Sequence, residues 1–275
     1  MEQIEKVIDI EDAIKNSESK FLKSLPRFVI RIMEKIIYQD EMNAEIHKSR
    51  HLEGLSFIND VLERWQVELV IRGHENLPSS GRFIFVGNHP LGAIDSLAFF
   101  SLVGRFYPNV MSPSNELLLI IPNLHTLLLG LNVFGKQKKE TVAKLHDLFE
   151  SDNQVLIFPS GEVSRKKKGI ISDPVWQKTF ITKAVDYKRD IIPVHISGKN
   201  SNLFYFTANL RTFIGIKMYV ETLLLPREMM KNRTSTITLT IGKPIPYLSI
   251  TDGISHHAWA QRVKAVTYSL NKTEQ

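Results

Sequence analysis

The sequence predicts an α/β fold in which a central, mostly parallel sheet is flanked by helices. Three nearly continuous apolar runs, Phe83–Val86, Val155–Phe158 and Ile191–Ile196, have the character of strands buried on both faces. Between and after them lie segments whose apolar residues recur at helical spacing, such as Val142, Leu145, Leu148 and Phe149. Strands that alternate with helices in this order build layered α/β domains.

Composition sets outer limits. With 275 residues, 43% hydrophobic and 23% charged, the chain can bury one large core or two small ones. It has no cysteine, which excludes disulfides, thiolate metal sites and cysteine catalysis. Glu2, Glu5, Lys6, Asp9, Glu11 and Asp12 occupy the place where a signal peptide would carry its apolar core. The apolar stretch Leu117–Leu124 is broken by Pro122 and Asn123, too short to span a bilayer. The expectation is a cytoplasmic protein, free or peripheral to the inner face of the cell membrane. A net charge of +6 and a pI near 9.3 favour an anionic partner. Nucleic acid is disfavoured as that partner, because the basic residues are not interleaved with aromatics and no reader motif occurs.

Taken in order, residues 1–65 read as a helical N-terminal extension and 66–275 as the main domain. Phe21, Leu22, Leu25, Phe28, Val29, Ile32, Met33, Ile36 and Ile37 recur at helical spacing, with Lys20, Lys23, Arg27, Arg31 and Lys35 among them. Pro26 begins or kinks this helix. A basic amphipathic segment of this kind, ending at Tyr38, suits an anionic membrane surface or a helix packed on its own domain. A second helix is expected over Met42–Arg64, where His47 and His51 stand four apart. That spacing fits a metal pair, but no third ligand accompanies it, so a solvated helix face is expected.

A strand at Val67–Arg72 and a turn at Gly73–Pro78 lead into the Phe83 strand. A short strand over Tyr107–Met111 and a helix over Asn115–Leu131, limited by Pro122, are expected next. The helix Glu140–Glu150 leads to the Val155 strand, which ends in Pro159–Ser160–Gly161–Glu162 and a basic loop, Arg165–Lys168. Trp176–Tyr187 reads as a helix, Ile191–Gly198 as a strand holding a core histidine, His195, and Ser255–Leu270 as a final helix.

One stretch carries chemistry. After Phe83–Val86, Gly87 and Asn88 break the strand, and Pro90 and Gly92 mark a turn. Asp95, suited to an N-cap, opens an apolar helical pattern. On one continuous helix His89 and Asp95 would point apart, but a turn between them lets them meet. A carboxylate on one imidazole nitrogen fixes the tautomer and leaves the other nitrogen to act as a base. No serine or cysteine stands ready as nucleophile, so the attacking hydroxyl would come from the substrate. Taken alone, such a pair also fits a carboxylate that merely caps a helix.

Four blocks over residues 66–246 resemble the glycerolipid acyltransferase family typified by lysophosphatidic acid acyltransferase. Asn88–His89 with Asp95 resembles the family's first motif, a catalytic base and the aspartate that orients it. Gly130–Leu131–Asn132–Val133–Phe134–Gly135–Lys136 resembles the second, where a substrate-binding arginine is usual. Phe158–Pro159–Ser160–Gly161–Glu162 resembles the third and Ile192–Pro193–Val194 the fourth.

The departures are informative. The His-to-Asp spacing is one residue longer than usual, which resembles the hemolysin-like and aminolipid acyltransferase branch. Lys136 keeps the charge of the usual arginine but not its planar fork. Ser160 and Val163 stand at the usual glutamate and arginine, for which Glu162 and Arg165 can substitute from shifted positions. The resemblance implies a glycerol-3-phosphate acyltransferase-like fold and direct acyl transfer from an acyl-CoA or acyl-carrier-protein thioester to a lysophospholipid or monoacylated aminolipid. His89 would be the base and Asp95 its partner. Lys136 and Arg165 would hold an anionic head group, amides near Gly161 or Gly135 would meet the oxyanion, and no metal or bound cofactor would be needed. A noncatalytic lipid-binding protein and a thioester hydrolase are the competing readings.

Overall fold

The three apolar runs form the middle of a seven-stranded sheet. A computed structural model describes residues 6–17, 23–132, 137–216, 219–250 and 253–271. Strands β1 (Glu68–Arg72), β2 (Phe83–Gly87), β3 (Val110–Asn115), β4 (Leu128–Leu131), β5 (Gln154–Ile157), β8 (Asp190–Ile196) and β9 (Thr236–Ile241) lie in the order β1-β9-β8-β2-β5-β3-β4. Every pairing is parallel except β8 with β9. Strands β6 (Arg165–Lys167) and β7 (Ile170–Ser172) make a separate hairpin.

Strand β2 lies between β8 and β5 and is buried along its whole length. Its side chains alternate: Phe83 and Phe85 join one core, Ile84 and Val86 the other. The first core is covered by α4 (Gly54–Arg64) and α5 (Ala93–Phe106), through Phe57, Ile58, Ile94, Ala98 and Phe99. The second is covered by α6 (Lys139–Glu150), α7 (Thr179–Asp186) and α10 (His256–Ser269), through Leu148, Phe180 and Val263. Arg189, fully buried, locks this framework by donating to the backbone carbonyls of Phe149, Ser151, Asn153 and Phe83. Burial lowers its pKa to about 10, yet four carbonyl partners satisfy the guanidinium.

Several expected elements are corrected. The Met42–Arg64 helix is two, α3 (Gln39–Lys48) and α4, and His51 falls beyond the end of the helix that holds His47. The Asn123 side-chain amide holds the break by donating to Ser49 O at 3.1 Å and Leu52 O at 2.7 Å. The Asn115–Leu131 helix is replaced by the end of β3, two 3₁₀ turns (Glu116–Ile120 and Pro122–Leu124) and β4. Pro122 has no N–H for a continuing helix, and pairing of β3 with β4 wins the flanking residues.

The Arg165–Lys168 loop is the β6–β7 hairpin, turned by Lys168 (φ 48°) and Gly169 (φ 83°), the positive-φ pair of a tight two-residue turn. Helices α8 (Asn202–Phe213) and α9 (Leu225–Lys231) occupy stretches that sequence left unassigned. The N-terminal amphipathic helix, α2 (Arg27–Ile36), starts after Pro26 and ends before Tyr38, whose φ of 54° breaks it from α3. Phe21 and Leu22 lie outside the described residues. A short helix, α1 (Ile10–Asn16), precedes it. Among the described residues no helix is long and apolar enough to cross a membrane.

Candidate active site

The site begins where β2 runs out. Asn88 keeps the end of β2 tied to β8: its Oδ1 accepts from Ile196 N at 2.7 Å and its Nδ2 donates to Ile196 O at 2.8 Å. The chain then turns through His89–Pro90–Leu91–Gly92 into α5. Gly92 has φ +87°, and a Cβ there would sit 2.6 Å from the Leu225 side chain, so only glycine fits this turn. Gly92, not Asp95, is the N-cap of α5; Asp95 stands in the first turn with its side chain folded back over the loop.

This placement brings the predicted pair together. Asp95 Oδ2 accepts from the amides of Leu91 at 2.7 Å and Gly92 at 3.1 Å, and lies 3.1 Å from His89 Nδ1. Asp95 is fully buried and the His89 side chain is 16% exposed. Capping and orienting are therefore the same set of bonds, made by one oxygen. With Nδ1 donating to Asp95, His89 carries its lone pair on Nε2. The ring stacks on Phe158, centroids 3.9 Å apart, so the third block supplies the wall against which the histidine is held.

Asp173, which sequence reasoning did not single out, fixes the backbone of the same histidine. Its Oδ1 accepts from His89 N at 3.1 Å and from Ser164 Oγ at 2.5 Å, and its Oδ2 from Trp176 Nε1 at 2.9 Å. Ser164 N donates to His89 O at 2.8 Å, closing a loop around the residue. Helix α10 secures Asp173 in turn, through Tyr268 Oη accepting from Asp173 N at 2.7 Å and Lys264 Nζ donating to Asp173 O at 2.6 Å. The only sequence signal was a carboxylate just before Pro174, too common to select. Trp176 is buried among these core groups.

Burial of His89 disfavours the imidazolium, but the charge and hydrogen bond of Asp95 and the charge of Asp173 outweigh it. Arg165 opposes them weakly. The net result raises the His89 pKa above its ordinary 6.5.

Most of the other predicted residues lie on the segment after β5, which bonds back to this turn through Ser164 N and His89 O. Ser160 is buried, and its Oγ donates to Glu162 O at 2.6 Å, shaping the turn after β5. Gly161 (φ +65°) is exposed, and its amide already donates to Phe158 O at 3.0 Å, so that N–H is engaged within the turn. Arg165 is an ion-paired residue rather than a solvated one: Nη2 lies 3.0 Å from Glu221 and 3.3 Å from Glu162, with 10% of the side chain exposed. Glu221, fully buried, also meets Arg211 at 2.8 Å. Tyr219 Oη donates to Glu162 Oε1 at 3.1 Å. Lys136 and Gly135 lie outside the described residues.

A histidine held at a strand end by a buried carboxylate has the geometry that general-base chemistry requires. Comparison with known proteins supplies the family. An acyltransferase family matches residues 13–274, and the chain belongs to it, an enzyme of the glycerolipid acyltransferase type. The lyso-glycine lipid O-acyltransferase of Phocaeicola vulgatus is 40% identical over 265 residues, covering 96% of this chain and 95% of that protein. The lyso-glycine lipid O-acyltransferase of Bacteroides thetaiotaomicron is 38% identical over 265 residues, covering 96% and 97%. The 1-acyl-sn-glycerol-3-phosphate acyltransferase of Borreliella burgdorferi is 25% identical over 194 residues, covering 67% of this chain and 74% of its own length.

Proposed function

We propose that this enzyme transfers a fatty acyl group from an acyl-CoA or acyl-carrier-protein thioester to the hydroxyl of a lyso-glycine lipid at an anionic membrane surface. The acceptor is argued from the two relatives of that name, each aligned over nearly the whole chain. The observation that carries the mechanism is the His89 Nδ1 to Asp95 Oδ2 contact at 3.1 Å, which leaves Nε2 as the base.

Nε2 takes the acceptor's hydroxyl proton as that oxygen attacks the thioester carbonyl. Asp95, already bound to two amides, stabilises the imidazolium that forms. That attack forms the C–O bond of the ester, and collapse of the tetrahedral intermediate re-forms the carbonyl and breaks the C–S bond. The departing thiolate takes the proton back from Nε2, leaving ester, free thiol and neutral His89. No metal or bound cofactor has a part in this sequence. A glycine head group offers a carboxylate, for which the cations Lys136 and Arg165 are the candidate partners, Arg165 exchanging Glu162 for substrate.

The test follows thioester cleavage with each donor, with and without lyso-glycine lipid. Cleavage that depends on the lipid and yields its O-acyl product supports the reading. Equal cleavage without lipid would mean a hydrolase, and none with any donor a lipid-binding protein.

A further inference from the structure

Helix α8 has two unlike faces. Phe204, Tyr205 and Ala208 are buried, and Phe204 packs with Val163 and lies 5.7 Å from the Arg165 guanidinium. Leu203, Phe206, Leu210 and Phe213, spaced three, four and three apart, form a single stripe that is 45%, 64%, 44% and 88% exposed. Ile214 and Ile216 extend it and are also exposed. Single exposed apolar residues are ordinary, but a continuous row containing two outward phenylalanines marks a surface that meets something apolar.

The β6–β7 hairpin stands beside this stripe, joined to it where Asn209 Nδ2 donates to Lys166 O at 3.3 Å. Lys167, Lys168 and Ile170 are exposed at its turn, Ile170 by 70%. No aspartate or glutamate occurs in residues 163–172 or 191–220. The stripe is thus bordered by positive charge with no acidic residue in either segment. Arg211 of the same helix is not part of this border, being ion-paired inward with Glu221.

We propose that the outward stripe of α8 and the β6–β7 turn form a surface that docks the enzyme on an anionic bilayer. Phe206 and Phe213 enter the boundary between head groups and acyl chains while Lys167 and Lys168 meet lipid phosphates. An acidic carrier protein would match the lysines but leave the apolar row uncovered, so the bilayer fits better. The inference rests on a lysolipid acceptor and says how that acceptor arrives. The inner face of α8 packs against Arg165, a residue proposed to hold the acceptor's head group, so the docking face and that head-group site share one helix.

The experiment measures partition of the full chain onto phosphatidylcholine vesicles with and without phosphatidylglycerol. The double substitution Phe206→Ser/Phe213→Ser should weaken binding to the anionic vesicles at least about tenfold. The pair Lys167→Glu/Lys168→Glu should weaken binding to anionic vesicles about tenfold and flatten its salt dependence, while leaving neutral vesicles unaffected. All four side chains point outward, and circular dichroism and melting temperature verify the fold of each variant. Turnover of lysolipid dispersed in detergent should stay at the wild-type level in both. Unchanged partition of the phenylalanine variant overturns the proposal. So does a raised KM for acyl-carrier protein with partition unchanged, or a wild-type dimer in solution that the phenylalanine variant abolishes. Failure of the wild type to acylate any lysolipid would instead overturn the proposed reaction, while vesicle partition still judges the surface.

Discussion

His89 and His195 lie at the same end of two neighbouring strands, and burial has opposite outcomes for them. His195 belongs to β8, is 7% exposed, and packs edge-on against Tyr268 with ring centroids 6.0 Å apart. Burial alone acts on it and lowers its pKa to about 4, so it is neutral at all physiological pH. His89 stands two residues past the end of β2, is also largely enclosed, and has its pKa raised instead. The difference is two carboxylates, Asp95 on the ring and Asp173 on the backbone amide. A buried histidine becomes a base that can accept and hold a proton only when buried anions stand ready to stabilise the cation.

The largest expected effect breaks the active member of the comparison. His89→Ala should lower acyl transfer by roughly 10²–10⁴-fold, with the melting temperature little changed because the ring lies on the turn rather than in the sheet. Near-normal turnover in the folded variant would sink the mechanism. Asp95→Asn comes next. An amide can keep the cap but cannot stabilise imidazolium, so the rate should fall far more than the stability, for which a cap is worth about 1 kcal/mol. Activity measured beside thermal unfolding separates the two roles.

Asp173 and Arg165 sharpen the comparison in opposite directions. The acid limb of kcat/KM should titrate above the ordinary histidine value of 6.5, since the proposed mechanism needs neutral His89 and its pKa is raised. Asp173→Asn removes a stabilising anion and should move that limb to lower pH. Arg165→Met removes an opposing cation and should move it to higher pH, while raising KM for the acceptor more than for the donor. A purely structural role for either residue would change rate or stability without moving the limb.

The smallest effect concerns His195. Its pKa of about 4 lies below the ordinary 6.5, so below pH 6.5 the unfolded chain binds a proton that the native state refuses until about 4. Stability should therefore be present above 6.5 and lost as pH falls toward 4, by up to about 1.4 kcal/mol for each unit of depression. His195→Leu should flatten this slope in acid-unfolding curves and leave turnover near wild type.

Much of this was legible in the chain. The apolar runs around Phe85, Leu156 and Ile192 read as buried strands, and their alternation with helices predicted a mostly parallel sheet, though not its strand order. Pro90 and Gly92 showed that His89 and Asp95 could meet, because local turn chemistry is written in adjacent residues. The sequence misplaced what depends on distant partners. Asn115–Leu131 has helical composition, yet strand pairing with β3, the Asn115 cap on Leu117 N and the tie of Asn123 to Leu52 O decided its shape. Met42–Arg64 has helical composition too, and contacts 71 and 74 residues away hold it broken.

The meeting of His89 and Asp95 was thus determined by the sequence itself, since the turn His89–Gly92 brings residues six apart within 3.1 Å. Tertiary structure alone decided the rest: Asp173 reaches His89 across 84 residues, and Glu221 reaches Arg165 across 56. Electrostatic tuning of a base requires buried charges at short range, and which charges come within range is settled by the packing of β7, α8 and α10 around the turn. Local sequence fixes the turn; only the assembled core encloses it.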